Sequence, residues 1–588
     1  MCMKKFLSIF ISLLLIFSVT GTPALAQDSQ EIRNELNRMV DSMSGPGHAK
    51  GAVLSIVKNG RIELCQGYGF ADEYNGIAAD GEKTAFRIGS VSKTFVAVAA
   101  QILHQEGRLD MNRDISVYLD ADFPTLSYPV TMHQLLTHTA GFEDRVTGMA
   151  VRNVSDTEPL AASVRQYLPA QVFKPGEVVS YSNYGIALAA YVVECITDQD
   201  FAQYCREQVF LPLGMTRTTF EHMHDVVYVS KPYLPSGEET LEPYMNLYPE
   251  GSAVSTAEDM AKYMQWLLDN EDTRVLMAKS KEEIFSRQFS MSEELEGVGY
   301  TWNRKTRNHA VYYDKKGETL HFYTRIALFP QEQTGVFLSF NTYLPEHEID
   351  AVIQKAADLL YGQETRPAPG SGAATIDISG HYANNWSSFK TPEKILRYLV
   401  PGKMLHISGS QDSGYFINDD RVTLIGADTY ASNMGILKFQ KKAKTIMLAT
   451  ESAITYSKLP FWQQSYIQLF IPLLFFIIVL TFLFRELIRL LRKKRTKHNP
   501  FLLVCSLVQF LSFCALCLLI YKGIATFSLL AFALYMKIFG WLILAACASA
   551  LIYTIYVKPK NHTLNLLPII WNLSGILFCI WMFLFNIL

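Results

Sequence analysis

The sequence predicts an α+β fold: an antiparallel sheet flanked by helices, followed by a small β-rich domain and an α-helical transmembrane bundle. Three observations predict it. Residues 51–69 alternate apolar and polar around a two-residue turn signal. An alanine-rich apolar helix follows FRIGSVSK at 86–93. Beyond residue 362, short alternating runs give way to long uncharged stretches.

In chain order, Lys4 and Lys5 precede an apolar run from Phe6 to Val19, and Ala24-Leu25-Ala26 offers small residues for cleavage. Residues 1–26 therefore read as a secretory signal peptide cut before Gln27; the run is short for a first membrane anchor. No cysteine lies at the cleavage point, so lipidation there is not expected. From Ser29 to Met43, Ile32, Leu36, Met39 and Val40 share one helical face. GAVLSIVKNGRIELCQGYG alternates in strand fashion around Asn59-Gly60 and reads as a hairpin. The helix after FRIGSVSK runs to about Glu106 and stops at Gly107. Residues 31–362 form one α+β domain in this reading.

GQETRPAPGSGAAT is rich in Gly, Pro and Ala, and residues 363–375 read as a linker. MLHI at 404–407, RVTLIG at 421–426, GILKF at 435–439 and TIMLAT at 445–450 are separated by turn residues, which predicts a small β-rich domain over 376–460. Residues 466–588 read as a membrane region of about four helices: Ile467–Phe484, Phe501–Tyr521, Ile538–Val557 and Leu564–Leu584. The segment between Gly523 and Met536 is itself apolar and leaves open a fifth span or an interfacial stretch. Phe461, Trp462 and Tyr466 supply an interfacial belt. Arg485, Arg489, Arg492, Lys493, Lys494, Arg495 and Lys497 then mark the following loop as cytoplasmic, and Lys558 and Lys560 mark a second. This orientation agrees with a signal peptide and predicts a multi-pass cell-membrane protein whose catalytic domain is extracytoplasmic.

Apolar residues make up 49% and charged residues 18%, a shift toward membrane-protein composition, and a net charge of −2 gives no case for a nucleic-acid partner. Of nine cysteines, Cys2 lies in the signal and five lie in the apolar tail. Cys65, Cys195 and Cys205 read as buried thiols, with a Cys195–Cys205 disulfide as the alternative. His222 and His224 lack a third ligand, so no metal and no cofactor is expected. The sequence carries no reading of oligomeric state.

Ser90 and Lys93 carry the chemistry of FRIGSVSKTF. Residues i and i+3 of a helix are neighbours, so the amine meets the hydroxyl. Burial among Phe95, Val96 and Val98 and the field of the helix N-terminus both predict a neutral amine able to take the serine proton. The alternative is that Ser90 or Ser92 only caps the helix. In PGEVVSYSNY at 175–184, Tyr181 and Asn183 point the same way if extended, a phenol for proton relay and an amide for a substrate carbonyl. Asn183 also suits the cap of a helix starting at Tyr184. YYDKKGE at 312–318 opens a strand-like run in which Lys315 can hold a hydroxyl network or a carboxylate, and Gly317 lets substrate lie against the strand edge. His138 reads as scaffold, and Ser255 with Glu258 as a capping box.

S-x-x-K, then Y-x-N, then K-x-G in this order resembles the serine β-lactamase and penicillin-binding-protein superfamily, in its class C β-lactamase and DD-peptidase-related branch. LLTHTAG at 135–141, LPLGMTRTTF at 211–220 and GSAVSTAEDMAKYM at 251–264 are similar to family segments in family order. The resemblance implies a β-lactamase/transpeptidase-like fold. It further implies Ser90 as acylated nucleophile, Lys93 and Tyr181 sharing the proton work, and Asn183 binding the substrate amide. Lys315 and Gly317 would form the third box, and the backbone N–H groups of Ser90 and Glu318 the oxyanion hole. Ser92 is structural by the same comparison. The third box departs from the usual pattern in its bulky Lys316, its acidic Glu318 and HFYT at 321–324. Those departures bear on substrate recognition, so a β-lactamase assignment is not made.

The expected function is a membrane-anchored serine hydrolase acting through an acyl-enzyme. Its substrates would be small molecules or peptides: D-residue or cell-wall-type amides, β-lactams or esters. The alternative is a penicillin-binding sensor that turns over poorly and signals through its spans. A transporter-partner role for the tail draws little support, because the spans hold almost no charge.

Overall fold

The computed structural model describes residues 22–587 except 46, 223–224, 226, 364–369, 371–372, 401, 418, 443–444, 492–499, 527 and 557–565. Most of the expected signal peptide, His224, part of the expected linker, residues 492–497 of the first basic cluster, and Lys558 and Lys560 lie outside the described residues, while Arg485 and Arg489 lie inside them. The chain forms two units. The first comprises Met1–Phe123, Val130–Thr137 and Gly185–Arg366; the second comprises Pro124–Pro129, His138–Tyr184 and Pro367–Leu588.

The first unit is built on a seven-stranded sheet. Its strands are β1 (Gly51–Lys58), β2 (Arg61–Asp72), β3 (Ile77–Ala78), β4 (Asn303–Arg307), β5 (Ala310–Glu318), β6 (Tyr323–Phe329) and β7 (Thr334–Phe340). Their spatial order is β3-β2-β1-β7-β6-β5-β4, and every pairing is antiparallel. The β1–β2 hairpin turns at Asn59 (φ 50°) and Gly60 (φ 71°), the double positive φ of a type I′ turn, which is why the Asn-Gly pair was legible.

Strand β1 is buried along its whole length, so both sheet faces are covered. On one face Ile32, Leu36 and Val40 of α1 (Thr22–Ser42) meet Leu54, Leu338 and Phe340, together with Ile349, Val352 and Ile353 of α5 (Glu346–Tyr361). Helix α4 (Ala257–Leu268) lies against the other face. There a Cβ on Gly335 would fall 2.8 Å from Val57 Cγ2 and 2.9 Å from Met264 Sδ, so only glycine admits the helix so closely. The α4 cap sits one residue later than the S-x-x-E pattern places it. Thr256 is the N-cap and accepts from Asp259 N, while Ser255 Oγ bonds Thr218 Oγ1. The first unit also contains α2 (Lys93–Gln105), closed by Gly107 at φ 71°, and most of α3 (Asn183–Thr197). Cys65, Cys195 and Cys205 are free thiols, so the disulfide alternative fails.

The second unit contains a closed eight-stranded barrel: β8 (Gly380–Asn384), β9 (Met404–Ser410), β10 (Gly414–Ile417), β11 (Asp420–Gly426), β12 (Thr429–Ser432), β13 (Gly435–Lys442), β14 (Thr445–Ala449) and β15 (Thr455–Lys458). Closure comes from β8 pairing with β15, Ala383 opposite Ser457. Inward-facing Leu405, Ile407, Leu437, Phe439 and Leu448, with Tyr382, Tyr415 and Tyr430, fill the interior, as expected of a barrel this narrow.

Four helices of this unit are long and apolar enough to cross a membrane: α6 (Ser465–Leu491), α7 (Pro500–Ala525), α8 (Ala533–Tyr556) and α9 (Leu566–Leu584). The apolar stretch before Met536 contains a short 3₁₀ turn, Leu529–Phe532, and no fifth span appears among the described residues. Phe475 stacks on Phe578 and Phe482 on Trp571 between helices. Gln509 is buried; its Oε1 accepts from Trp571 Nε1 at 2.6 Å and its Nε2 donates to Cys547 Sγ at 3.1 Å. Such pairing is what an amide in an apolar helix bundle requires.

Candidate active site

Ser90 lies on a 3₁₀ turn, Gly89–Ser92, and Lys93 is the first residue of α2. Side chains three apart eclipse in a 3₁₀ turn, so the pair meets at the turn's exit and not one turn inside the helix. Lys93 Nζ donates to Ser90 Oγ at 2.8 Å. Ser92 caps nothing through its side chain, and its Oγ accepts from Ala253 N. Gly89 must be glycine: its φ is 51°, and a Cβ there would sit 2.5 Å from Glu318 N.

Lys93 is fully buried, as its apolar neighbours predict, but it is not alone with the serine. Its Nζ also donates to the backbone O of Glu250 at 2.5 Å and to Glu250 Oε2 at 2.8 Å. Glu250, on the 3₁₀ turn Tyr248–Glu250, is itself buried. The expected neutral amine rested on burial and on the field of the helix N-terminus, and a carboxylate at this distance opposes both by stabilising the ammonium.

The third box stands beside the turn. Lys315, on β5, is buried. Burial, then the charge of Lys93, holds its ammonium well below the usual lysine range, against the pull of Asp314. Gly317 pairs with Thr324 across the ladder, and a Cβ on it would fall 2.0 Å from Ile88 O and 3.0 Å from Val91 N. Its bareness therefore serves the contact with the serine turn, where the sequence suggested room for substrate.

The two departures in this box point away. Lys316 pairs with Glu346 and Asp350 of α5, and Glu318 Oε1 accepts from Arg325 Nη2 at 3.1 Å. Arg325 Nε also donates to Asp350 at 2.6 Å. Residues 316 and 318 thus face a charge network with α5, while 315 and 317 face the opposite side. In HFYT, Phe322 packs edge-on against Phe86, and Thr324 Oγ1 shares a hydrogen bond with Ser339 Oγ.

Tyr181 and Asn183 belong to the second unit. Asn183 opens α3 one residue earlier than the cap reading places it. Its Nδ2 contacts Met149 Sδ at 3.7 Å, and its Oδ1 is buried without a protein partner among the described residues. The Tyr181 ring lies between His138 (centroids 4.3 Å apart) and Trp386 (5.0 Å). His138 is scaffold, as expected: its Nδ1 accepts from Ser182 N and its carbonyl from Ser180 N.

Trp386 follows barrel strand β8 and was not anticipated. Its loop is clamped to the segment before Tyr181 at several points. Ser180 Oγ donates to Asn385 O, and Glu143 Oε2 accepts from Phe389 N and Lys390 N at 2.6 and 2.8 Å. Glu393 Oε1 accepts from Thr147 N at 2.7 Å. Lys403 Nζ sits 3.7 Å above the Trp386 ring and donates to its carbonyl. Glu250 had no motif to flag it beyond its place just before the GSAVSTAEDM segment, and Trp386 had none.

The Beta-lactamase family model matches residues 36–359 of the chain. Protein flp of Staphylococcus aureus (strain N315) is 27% identical over 344 residues, 55% of this chain and 66% of that protein. The chain thus spans just under two thirds of that relative's length. The putative penicillin-binding protein PbpX of Bacillus subtilis (strain 168) is 29% identical over 279 residues, 45% of this chain and 68% of that protein. The crystal structure of SurE with D-Leu is similar in fold, with a TM-score of 0.53 and 18% identity, covering 74% of this chain and all of that one (100%).

Proposed function

The chain belongs to the Beta-lactamase family, and on that premise we propose that it is a membrane-anchored serine hydrolase working through an acyl-enzyme on Ser90. The observation that carries this reading is the 2.8 Å contact from Lys93 Nζ to Ser90 Oγ with the lysine fully buried. In this reading Lys93 and Tyr181 move the protons, Asn183 binds the substrate amide, and Lys315 and Gly317 line the third box. The backbone N–H groups of Ser90 and Glu318 receive the developing oxyanion. Lys316 and Glu318 side chains turn toward α5, so the acylation machinery carries no added bulk or charge from them. The substrate class is a D-residue or cell-wall-type amide, a β-lactam or an ester. The catalytic unit is extracytoplasmic, on the strength of the N-terminal signal pattern and the basic cluster after the first span.

The test is covalent labelling of the full-length protein in detergent micelles with a fluorescent penicillin and a fluorophosphonate. Wild type is expected to label and Ser90→Ala to take none; full labelling of Ser90→Ala would overturn the proposal. Hydrolysis of D-Ala-D-Ala peptides, D-aminoacyl amides, nitrocefin and p-nitrophenyl esters then ranks the substrate classes.

Trp386 supplies a further prediction. It forms one wall of Tyr181, and small displacements of a proton-transfer group are costly. Trp386→Ala is expected to lower turnover about 10-fold, with Trp386→Phe retaining most of it. Equal turnover in all three proteins would remove the barrel loop from the mechanism.

A sensor reading is favoured by one set of contacts within the second unit. The Lys390–Tyr398 stretch that clamps the Tyr181 segment also meets the membrane helices. Asn586 Nδ2 donates to Lys390 O, Lys394 Nζ lies over the Phe585 ring, and Tyr398 OH donates to Gln463 O. An acyl adduct lasting hours supports a sensor, and one released within seconds supports the hydrolase.

A further inference from the structure

The Lys93–Glu250 pair is a buried ion pair inside the candidate nucleophile site, and the family pattern gives no role to an acid there. Its geometry differs from that of two other buried acids, Glu143 and Glu393. Glu143 and Glu393 each accept at least two N–H or O–H donors and tie loops together. Glu250 accepts at its side chain from Lys93 alone, and its Oε1 is buried without any hydrogen-bond partner among the described residues. A buried carboxylate kept for scaffolding ordinarily collects more than one donor. This one is held at its side chain by a single donor among the described residues, the amine that touches the serine.

We propose that Glu250 is a positioning residue for acylation, which aims Lys93 at Ser90 through its carbonyl and exchanges a proton with Lys93 through Oε2. The inference rests on the reading of Ser90 and Lys93 given above. At rest the pair holds one shareable proton, as ammonium and carboxylate or as amine and carboxylic acid, and the net charge is the same in both forms. In the second form the Lys93 lone pair faces Ser90 Oγ.

During attack the Ser90 O–H bond breaks and its proton joins Lys93 Nζ. Ser90 Oγ bonds to the substrate carbonyl carbon, and the carbonyl π pair moves onto oxygen. The resulting ammonium beside a neutral carboxylic acid carries one positive charge, opposite the one negative charge of the oxyanion. When the intermediate collapses, the carbonyl re-forms, the leaving atom departs with its bonding pair and takes a proton from Lys93, and the starting pair returns. Deacylation repeats the sequence with water in place of Ser90 as proton donor. Without Glu250, a resting Lys93 ammonium has to give its proton up to solvent from a dry site before it can take one from Ser90. With it, that proton moves only to Oε2, and the site rises from neutral to singly positive at the moment an anion forms beside it.

Glu250→Gln keeps the size and an acceptor oxygen but cannot take the proton. In full-length protein in detergent micelles, its rate constant for fluorophosphonate labelling is expected to fall about 100-fold or more. On whichever p-nitrophenyl ester wild type hydrolyses, kcat is expected to fall with little change in KM, because Glu250 does not touch substrate. Glu250→Asp retains a carboxylate and is expected to recover part of the loss, which a purely steric role would not produce. Thermal unfolding of each variant separates this from misfolding, and Glu250→Met, apolar and similar in size, replaces Glu250→Gln if the latter does not fold. Labelling of a folded, carboxylate-free variant at or above the wild-type rate overturns the proposal, since it would mean the acid only restrains the lysine. A wild type that takes no label at Ser90 overturns the site reading and this proposal together, so the two failures are distinguishable.

Discussion

Lys93→Met is expected to slow acylation of Ser90 about 10³-fold and to destabilise the first unit by about 3–5 kcal/mol. The two losses have different causes. The first follows from removing the amine 2.8 Å from Ser90 Oγ, the group placed to take the serine proton. The second follows from leaving Glu250, itself buried, without the counter-charge that its Oε2 meets at 2.8 Å. Breaking one side of a buried ion pair is costly because the surviving charge remains desolvated. Replacing both members with apolar side chains of similar volume is often neutral or stabilising. The double variant Lys93→Met, Glu250→Met is therefore expected to recover the unfolding temperature and none of the labelling. Unfolding followed by tryptophan fluorescence, alongside fluorophosphonate labelling, checks both. A lysine-free protein that labels at the wild-type rate would remove Lys93 from the chemistry.

The elements that were legible in the sequence are those whose cause is local. Asn59-Gly60 fixes a hairpin because two adjacent positive φ angles suffice, and Gly107 ends α2 with a single one. The barrel was legible only in part. MLHI, RVTLIG, GILKF and TIMLAT fall on β9, β11, β13 and β14, but the four-residue strands β10, β12 and β15 are too short to show alternation. Closure joins Ala383 to Ser457 across some seventy residues, a contact no window can see.

The same division runs through the candidate site. Ser90 and Lys93 are three residues apart, and the eclipse of a 3₁₀ turn brings them together. Glu250 reaches Lys93 from 157 residues away, so spacing carries no trace of it. Lys316 and Glu318 show the opposite case, a signal that was present and went unused. Strand alternation puts 315 and 317 on one face and 316 and 318 on the other, which already separates the conserved-type positions of the box from its departures. Burial lowers the Lys315 ammonium together with a neighbouring cation, whereas at Lys93 a neighbouring carboxylate opposes burial. Desolvation is readable from apolar neighbours in sequence; the sign of the nearest charge is a tertiary fact.

Gly317→Ala is expected to lower acylation about 10²–10³-fold and stability by about 1–3 kcal/mol. The added Cβ would meet Ile88 O at 2.0 Å and Val91 N at 3.0 Å, both backbone atoms, so neither can rotate out of the way. Relief requires that the end of β5 and the Gly89–Ser92 turn part. Those two segments carry Glu318 N and Ser90 N, the proposed oxyanion donors, and a donor pulled out of reach forfeits most of its contribution to the transition state. Gly89 presses on the same seam from the other side, a Cβ on it falling 2.5 Å from Glu318 N with φ at 51°. Gly89→Ala should therefore reproduce the phenotype. The double variant should lose much less than the sum of the two, because the first substitution has already opened the gap that the second would force. Labelling rates and unfolding temperatures for the three variants test this directly. Independent, additive losses would mean that the strand end and the serine turn do not act as one donor pair.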